Sequence, residues 1–555
     1  MRRPDRTTSA LVGVLLLALA LRLWGIRSGL PFSYNADEER HFVPIAVRFF
    51  DGSLNPGYFL NPPGYTELLF GVYALWFRGR GAVEHALASD PGALFALARV
   101  VVALLGTLAA WLLYRAGARL FDRATGLLAA ALAAVAFLPV FYGHLALNDV
   151  PAMAAASAAL LATVHVLRGG GWRAVALGGL AAGLAAGTKY TAGIVLLPLL
   201  SAILVPRSGA RTGAAGIALA LAATLAGFLL ANPYALLDFP AFHHGLTQQR
   251  TYASGDELAK LGLTQRSGIL YYLWTLTWGL GWVPALAALG GTVLLVLRER
   301  ALALVLLPAP LLYLLFMGTQ ERYFARWLLP VLPILILLAA YLGVVLAREL
   351  AHRAPRLAPA TAALVALALL GQGLLASLHV DRVLARPDTR GTLRAWMLAH
   401  VPGGERVVIE PVVPRAWSGD RWRTWNTARA DVDDHARPLP PGRTRYVKVD
   451  RYERTLRPAL LDEYVARGFC WVVIGSTQFE RAFAEPGEVP GAIAYYRALS
   501  TRGERLLDLR PYRVGAEPPS FNFDWAFDYY PRAYVRPGPE LVVFRLRGCR
   551  AVSSR

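Results

Sequence analysis

The stretch Pro31-Phe-Ser-Tyr-Asn-Ala-Asp37-Glu38-Glu39-Arg40-His41 puts three acids in a row just after a first hydrophobic span, in a chain that is otherwise apolar and basic. Two more polar residues follow hydrophobic spans in the same way. One is Asp149, in Asn148-Asp149-Val150-Pro151, and the other is a lone lysine in Gly187-Thr188-Lys189-Tyr190. If the spans cross a bilayer in turn, all three surface on the same side. The alternation therefore predicts one polar site at a membrane face.

Composition sets the class. The chain has 555 residues, 55% of them hydrophobic, with a mean hydropathy of +0.41. That is too apolar for a soluble enzyme and fits a membrane protein with a soluble part. The net charge of +20 does not point to nucleic acid, since no compact basic run or binding motif accompanies it. The arginines fall mostly in short loops between spans, where orientation in the membrane explains them. Only Lys189, Lys260 and Lys448 are lysines. Cys470 and Cys549 lie in the last third, and the sequence leaves their pairing open.

A spanning helix needs roughly 20 mostly apolar residues. About eleven such spans are predicted, near 9–26, 94–114, 125–142, 151–167, 174–187, 191–205, 214–231, 279–297, 301–317, 327–347 and 358–379. Arg2, Arg3 and Arg6 precede the first, and no small-x-small cleavage site follows it, so it reads as a retained anchor. Counted from a cytoplasmic N-terminus, the short inward loops each hold at least two arginines: Arg115, Arg119 and Arg123; Arg168 and Arg173; Arg207 and Arg211; Arg298 and Arg300; Arg348, Arg353 and Arg356. The fold predicted is thus a polytopic α-helical membrane domain, residues 1–380, with long outward loops at 27–93 and 232–278. In the first loop, Ala36 to Phe50 reads as a helix lying along the surface and Tyr65 to Phe77 as an interfacial stretch. The second carries His243, His244, Arg250, Asp256 and Glu257. After residue 380 the pattern changes to strands (Arg406–Glu410, Tyr446–Val449, Cys470–Ile474, Glu540–Leu546) alternating with helices (Thr392–His400, Leu460–Arg467, Ala492–Ser500). That alternation predicts an extracytoplasmic α/β domain over 381–555.

Each polar candidate has a plain structural reading beside the functional one. Asp149 would serve as a helix cap, Lys189 as a snorkelling side chain, and Glu321-Arg322-Tyr323-Phe-Ala-Arg326 as an interfacial belt. His144, His243 and His244 read as structural or solvent-facing. No zinc spacing, P-loop, nucleophile elbow or dinucleotide fingerprint is present. Taken together, a carboxylate at the surface is suited to act as general base on a hydroxyl or amine. A neighbouring cation is suited to hold a phosphate and stabilise it as a leaving group. A lipid headgroup supplies that phosphate at a membrane.

These residues carry a resemblance to the C-type glycosyltransferases, in the branch of protein O-mannosyltransferases and the lipid A aminoarabinose transferase. Asp37-Glu38-Glu39-Arg40-His41 resembles the Asp-Glu-x-Arg-Tyr loop after the first helix, with His41 replacing the aromatic. Asn61-Pro62-Pro63-Gly64-Tyr65 resembles the Pro-Pro turn of the same loop. Leu147-Asn148-Asp149-Val-Pro151 resembles the second acidic motif, and Gly187-Thr188-Lys189-Tyr190-Thr191 the Thr-Lys-Tyr motif. Glu321-Arg322-Tyr323, followed by Pro330 and Pro333, resembles the Arg-Tyr-x-Leu-Pro segment.

The resemblance implies a polyprenyl-phosphate-linked sugar donor used on the non-cytoplasmic face, with inversion at the anomeric carbon. The acceptor would be a protein, lipid or glycan. Carried over by position, Asp37 is the catalytic base, and Lys189 and Arg322 bind the donor phosphate. Glu38, Arg40, Asn148, Asp149 and Tyr190 line the substrate site. Asp149, with Glu38, would shape the site or hold a divalent ion, and the resemblance commits to no metal. Two other classes compete: a transporter or flippase of lipid-linked sugars, and a cell-envelope glycan-binding assembly protein using exposed aromatics such as Trp417, Trp422, Trp425, Phe521, Phe523 and Trp525. Transporters tend toward inverted repeats and midplane charges, whereas the charges here gather at span ends.

Overall fold

Long apolar helices with small residues on their faces form the first unit of the computed structural model. It describes residues 6–205, 213–254, 261–262, 267–521 and 530–550. The expectations for Arg2, Arg3, Arg207, Arg211, Asp256, Glu257, Phe523 and Trp525 fall outside these residues. The chain divides into two compact units that meet in sequence at Asp381 and Arg382, with residues 27–36 counted in the second.

Among the described residues, eight helices are long and apolar enough to cross a membrane, and nine if the bent pair Arg123–Val135 and Phe137–His144 is one span. The protein is a multi-pass membrane protein. Against the eleven predicted spans, the two that fall short are neighbours, Gly171–Thr188 and Tyr190–Leu204. The first is diluted by glycine, and the glycines have a packing role. It lies so close to Gly213–Leu230 that a Cβ added at Gly183 would stand 2.0 Å from the Thr224 carbonyl oxygen. Small residues that let helix backbones approach are the usual means of helix association in a bilayer, where apolar burial supplies little drive.

The surface helix expected over Ala36–Phe50 is present as three consecutive turns: a π-turn Glu38–Phe42, a helix Val43–Arg48 and a 3₁₀ turn Phe49–Asp51. The interfacial stretch is the helix Gly64–Phe77. Two buried charged side chains at the ends of spans, Arg22 and Asp381, were not anticipated. Arg22 donates to the Ala18, Ala133 and Ala134 carbonyls, and Asp381 lies 3.4 Å from the His144 ring.

The second unit is α/β. Strands β1 (Arg406–Ile409), β2 (Arg423–Thr424), β5 (Phe469–Gly475), β6 (Gly503–Leu509) and β7 (Leu541–Leu546) form one sheet in the order β2-β1-β5-β7-β6. β1 runs parallel to β2 and β5, while β7 runs antiparallel to β5 and β6. A separate two-stranded ribbon pairs β3 (Arg429–Ala430) with β4 (Arg445–Tyr446). The period-2 alternation of a strand sends Val408, Val472 and Val542 into a core with Tyr452, Leu461 and Tyr495. Val407, Val473 and Val543 enter the opposite core with Leu393, Met397, Trp417 and Trp422. Trp417 and Trp422 are therefore interior residues, and Trp425 packs edge-on against Tyr464 and Phe469. Cys470 and Cys549 are joined as a disulfide across 79 residues.

One carboxyl of this unit is buried without a cation. Glu410 accepts hydrogen bonds from the Gly475 amide at 2.9 Å and the Tyr496 hydroxyl at 2.7 Å. Burial pushes it from its ordinary 4.5 up to about 8. The folded state thus holds a proton that the unfolded chain releases above about pH 4.5. Stability is complete below that point and is lost as pH rises toward 8. Glu410→Gln should flatten this loss, giving a thermal midpoint in detergent that exceeds the parent's at pH 8 by several degrees and matches it near pH 5. A parent midpoint constant from pH 5 to pH 8 would contradict the assignment.

Candidate active site

The site begins where the loop after the first span is pinned to the helices. Glu38 follows Asp37 in the π-turn, a distortion that recurs at functional positions. Its carboxylate is fully buried and receives two parallel hydrogen bonds from Arg99, both 2.7 Å, and one from the Ala146 amide at 2.9 Å. Arg99 in turn donates to the Ile26 carbonyl at 2.9 Å. Arg99 sits inside the apolar helix Pro91–Leu120, where an unpaired charge would be expensive. One bidentate pair therefore fixes the end of the first span, the loop and the approach to Asp149. Both oxygens of the buried Glu38 carboxylate are thus engaged.

Asp149 opens the helix Asp149–Leu167, with Pro151 in its first turn. Its carboxylate does not cap that helix. Oδ1 lies 2.5 Å from Lys189 Nζ, and Oδ2 lies 3.7 Å from Arg326 Nε. Asn148 ties the two segments together by donating from Nδ2 to the Thr188 carbonyl at 2.7 Å. Lys189 is buried against Asp149, so the snorkelling reading does not describe it. The Pro62-Pro63-Gly64 turn leans on the same place: a Cβ at Gly64 would meet the Gly187 carbonyl oxygen at 2.7 Å, so only glycine fits without a shift.

Arg326 closes the cluster. It lies in the 3₁₀ turn Ala325–Leu328 and donates from a terminal nitrogen to Asp37 Oδ2 at 2.7 Å. Asp37, Arg326, Asp149 and Lys189 thus form a continuous chain of alternating charge. Arg322, four residues earlier, lies over the rings of Tyr252 and Phe324. Asp37 keeps 33% of its side chain exposed, against 2% for Asp149 and 0% for Glu38. Among these three carboxylates, Asp37 is the most exposed.

The wall beside Asp37 is aromatic. His41 stacks on Tyr58 with ring centroids 4.2 Å apart and 9° between planes, and Asn61 Nδ2 donates to the Tyr58 hydroxyl at 3.0 Å. Burial pushes the His41 imidazole below its usual range despite the pull of Asp37. Tyr190 donates to the Phe59 carbonyl at 3.0 Å. Arg40 is directed outward and pairs with its neighbour Glu39 at 3.2 Å. His243 and His244 are exposed. No group of three metal-ligating side chains occurs among the described residues. The suggested metal pair, Asp149 and Glu38, is already taken up by Lys189, Arg326 and Arg99, so these donors do not fit a divalent ion.

The structure brings Asp37, Asp149 and Lys189, all singled out in the sequence, into one cluster through Arg326. Sequence reading misses Arg99 and assigns Arg326 to a belt. The available signal for Arg99 was a single arginine within an otherwise apolar span. For Arg326 there was none beyond proximity, since two arginines four residues apart are equivalent in a sequence.

Residues 91–235 match the family described as dolichyl-phosphate-mannose-protein mannosyltransferase. No curated protein matches the chain in sequence. Among solved structures, the oligosaccharyltransferase of Archaeoglobus fulgidus, crystallised with a tethered acceptor peptide, aligns with a TM-score of 0.55 at 13% identity, covering 90% of this chain and 72% of that one. ArnT from Cupriavidus metallidurans bound to undecaprenyl phosphate aligns with a TM-score of 0.51 at 15% identity, covering 99% of each. The fold is that of the C-type membrane glycosyltransferases. The family match covers the stretches around Asp149 and Lys189, and the fold, a transmembrane helical unit followed by an α/β unit, is similar to that of these solved structures.

Removing one partner of a buried ion pair leaves an uncompensated charge and costs about 3–5 kcal/mol, whereas removing both costs far less. Arg99→Met should therefore lower the detergent thermal midpoint sharply, and Arg99→Met with Glu38→Gln should recover much of the loss. A double variant as unstable as the sum of its singles would refute the pairing.

Proposed function

We propose that the protein is an integral membrane glycosyltransferase that moves a sugar from a polyprenyl-phosphate donor to an acceptor on the non-cytoplasmic face, with inversion. The observation that carries this reading is the exposure of Asp37 beside two cations. A carboxylate open to substrate, next to a lysine and an arginine with no metal-like ligand set, suits base-assisted displacement of a phosphate.

In that reaction the acceptor oxygen or nitrogen gives its proton to the Asp37 carboxylate and attacks the anomeric carbon from the side opposite the phosphate. A single displacement from that side inverts the centre. The bond to the phosphate oxygen breaks, and the electron pair leaves with the phosphate. Lys189 and Arg326 stabilise the charge that develops there. Phosphate leaves without strong acid assistance, so one base and two cations suffice. Arg326 takes the role that the motif assigned to Arg322, which stays over its aromatic neighbours. Asn148 and Asp149 hold the cations in place, while Tyr190 and the His41–Tyr58 stack form the wall against which a sugar lies.

The donor class is supported by ArnT, solved with undecaprenyl phosphate, and by AglB of Archaeoglobus fulgidus, solved with dolichol-phosphate and an inhibitory peptide. The outward orientation of the α/β unit is supported by its disulfide, because such bonds persist in oxidising compartments. Polyprenyl-phosphate sugars of several kinds, incubated with purified protein, should yield free lipid phosphate. Asp37→Asn should cut release by about 10²-fold or more with folding unchanged, and full activity in that variant would remove Asp37 from the base role. Lys189→Ala should weaken donor binding by about tenfold; an unchanged donor affinity would leave Lys189 only a partner of Asp149.

A further inference from the structure

The two cations of the site arrive on short 3₁₀ turns from distant parts of the chain. Lys189 precedes the turn Tyr190–Val195, and Arg326 lies within Ala325–Leu328. Turns of this kind have weak hydrogen-bond geometry and little stability of their own, so their relative placement must be set from outside. Asp149 does not set it alone, since it touches Lys189 closely and Arg326 only at 3.7 Å.

One buried side chain joins both turns. Tyr313 lies on the helix Pro308–Gly318 and is 2% exposed. Its hydroxyl donates to the carbonyl of Trp327, the residue after Arg326. The same oxygen accepts from the Thr191 hydroxyl at 3.3 Å. Thr191 follows Lys189 by two residues, and the Ala192 amide closes the turn onto the Lys189 carbonyl at 2.8 Å. A single phenol oxygen is therefore the joint between the lysine turn and the arginine turn.

Resting on the proposed reaction, we infer that Tyr313 is a positioning residue that holds Lys189 and Arg326 at the spacing needed to grip one phosphate. It touches neither substrate nor reacting atom. A phosphate bound by two cations requires both at once, so loosening the joint weakens donor binding rather than proton transfer at Asp37.

Tyr313→Phe keeps the ring in its buried seat and removes only the hydroxyl. Thr191→Val removes the hydroxyl on the other side of the joint, and Thr191→Ser retains it. Binding of undecaprenyl phosphate to the full-length protein in detergent is measured for each, alongside donor KM, kcat and thermal midpoint. Tyr313→Phe and Thr191→Val should each raise the dissociation constant and the donor KM by about fivefold to tenfold. kcat at saturating donor should stay within about threefold and acceptor KM should be unchanged. The double variant should be no worse than either single, and Thr191→Ser should behave as the parent. An unchanged dissociation constant in Tyr313→Phe, additive losses in the double variant, or a fall in kcat at constant donor KM would each overturn the inference. A parent protein that neither binds undecaprenyl phosphate nor releases lipid phosphate from any donor would instead remove the proposed reaction, and this inference with it.

Discussion

The arrangement depends on the buried contact of Asp149 with Lys189. Two opposite charges, 2.5 Å apart at the ends of apolar helices, are tolerable only in each other's company, because the desolvation cost of either alone is several kcal/mol. Their pairing draws together the start of one helix and the end of another. Arg326, shared between Asp149 and the more exposed Asp37, adds a second cation beside the lysine at the same place.

The surrounding structure follows from that need for order. Glu38 and Arg99 neutralise each other out of water and hold the loop that presents Asp37. Asn148 bridges to Thr188, and glycine at 64 and 187 allows backbone to rest on backbone beneath the cations. Each holds a charged side chain or a stretch of backbone in the cluster in place.

Much of this was legible in the sequence, and the parts that were not share a physical reason. Hydropathy and arginine-rich loops reveal the spans because a bilayer imposes length and charge asymmetry directly on the chain. It overcounts where Gly171–Thr188 exchanges hydropathy for close packing. The convergence of Asp37, Asp149 and Lys189 follows from parity of crossing. Which side chain within a motif does what does not follow, because that depends on direction: Glu38 turns inward while Asp37 faces out, and Arg326 reaches the acids while Arg322 lies on rings. In the α/β unit β5 and β7 stand out as apolar runs, but β6, with Glu504 and Arg505 facing water and Asp508 only partly buried, carries no such mark.

The strand order of the second unit also bears on how the chain is made. β7 lies between β5 and β6, yet it is the last of the described strands to leave the ribosome. Its two neighbours must wait with open edges until residue 546 has been synthesised. The cluster of Asp37, Asp149, Lys189 and Arg326, by contrast, has all its members by residue 326. Biogenesis is thus staggered: the membrane-embedded half is able to assemble while its companion is still an incomplete sheet exposed to chaperones and to mispairing.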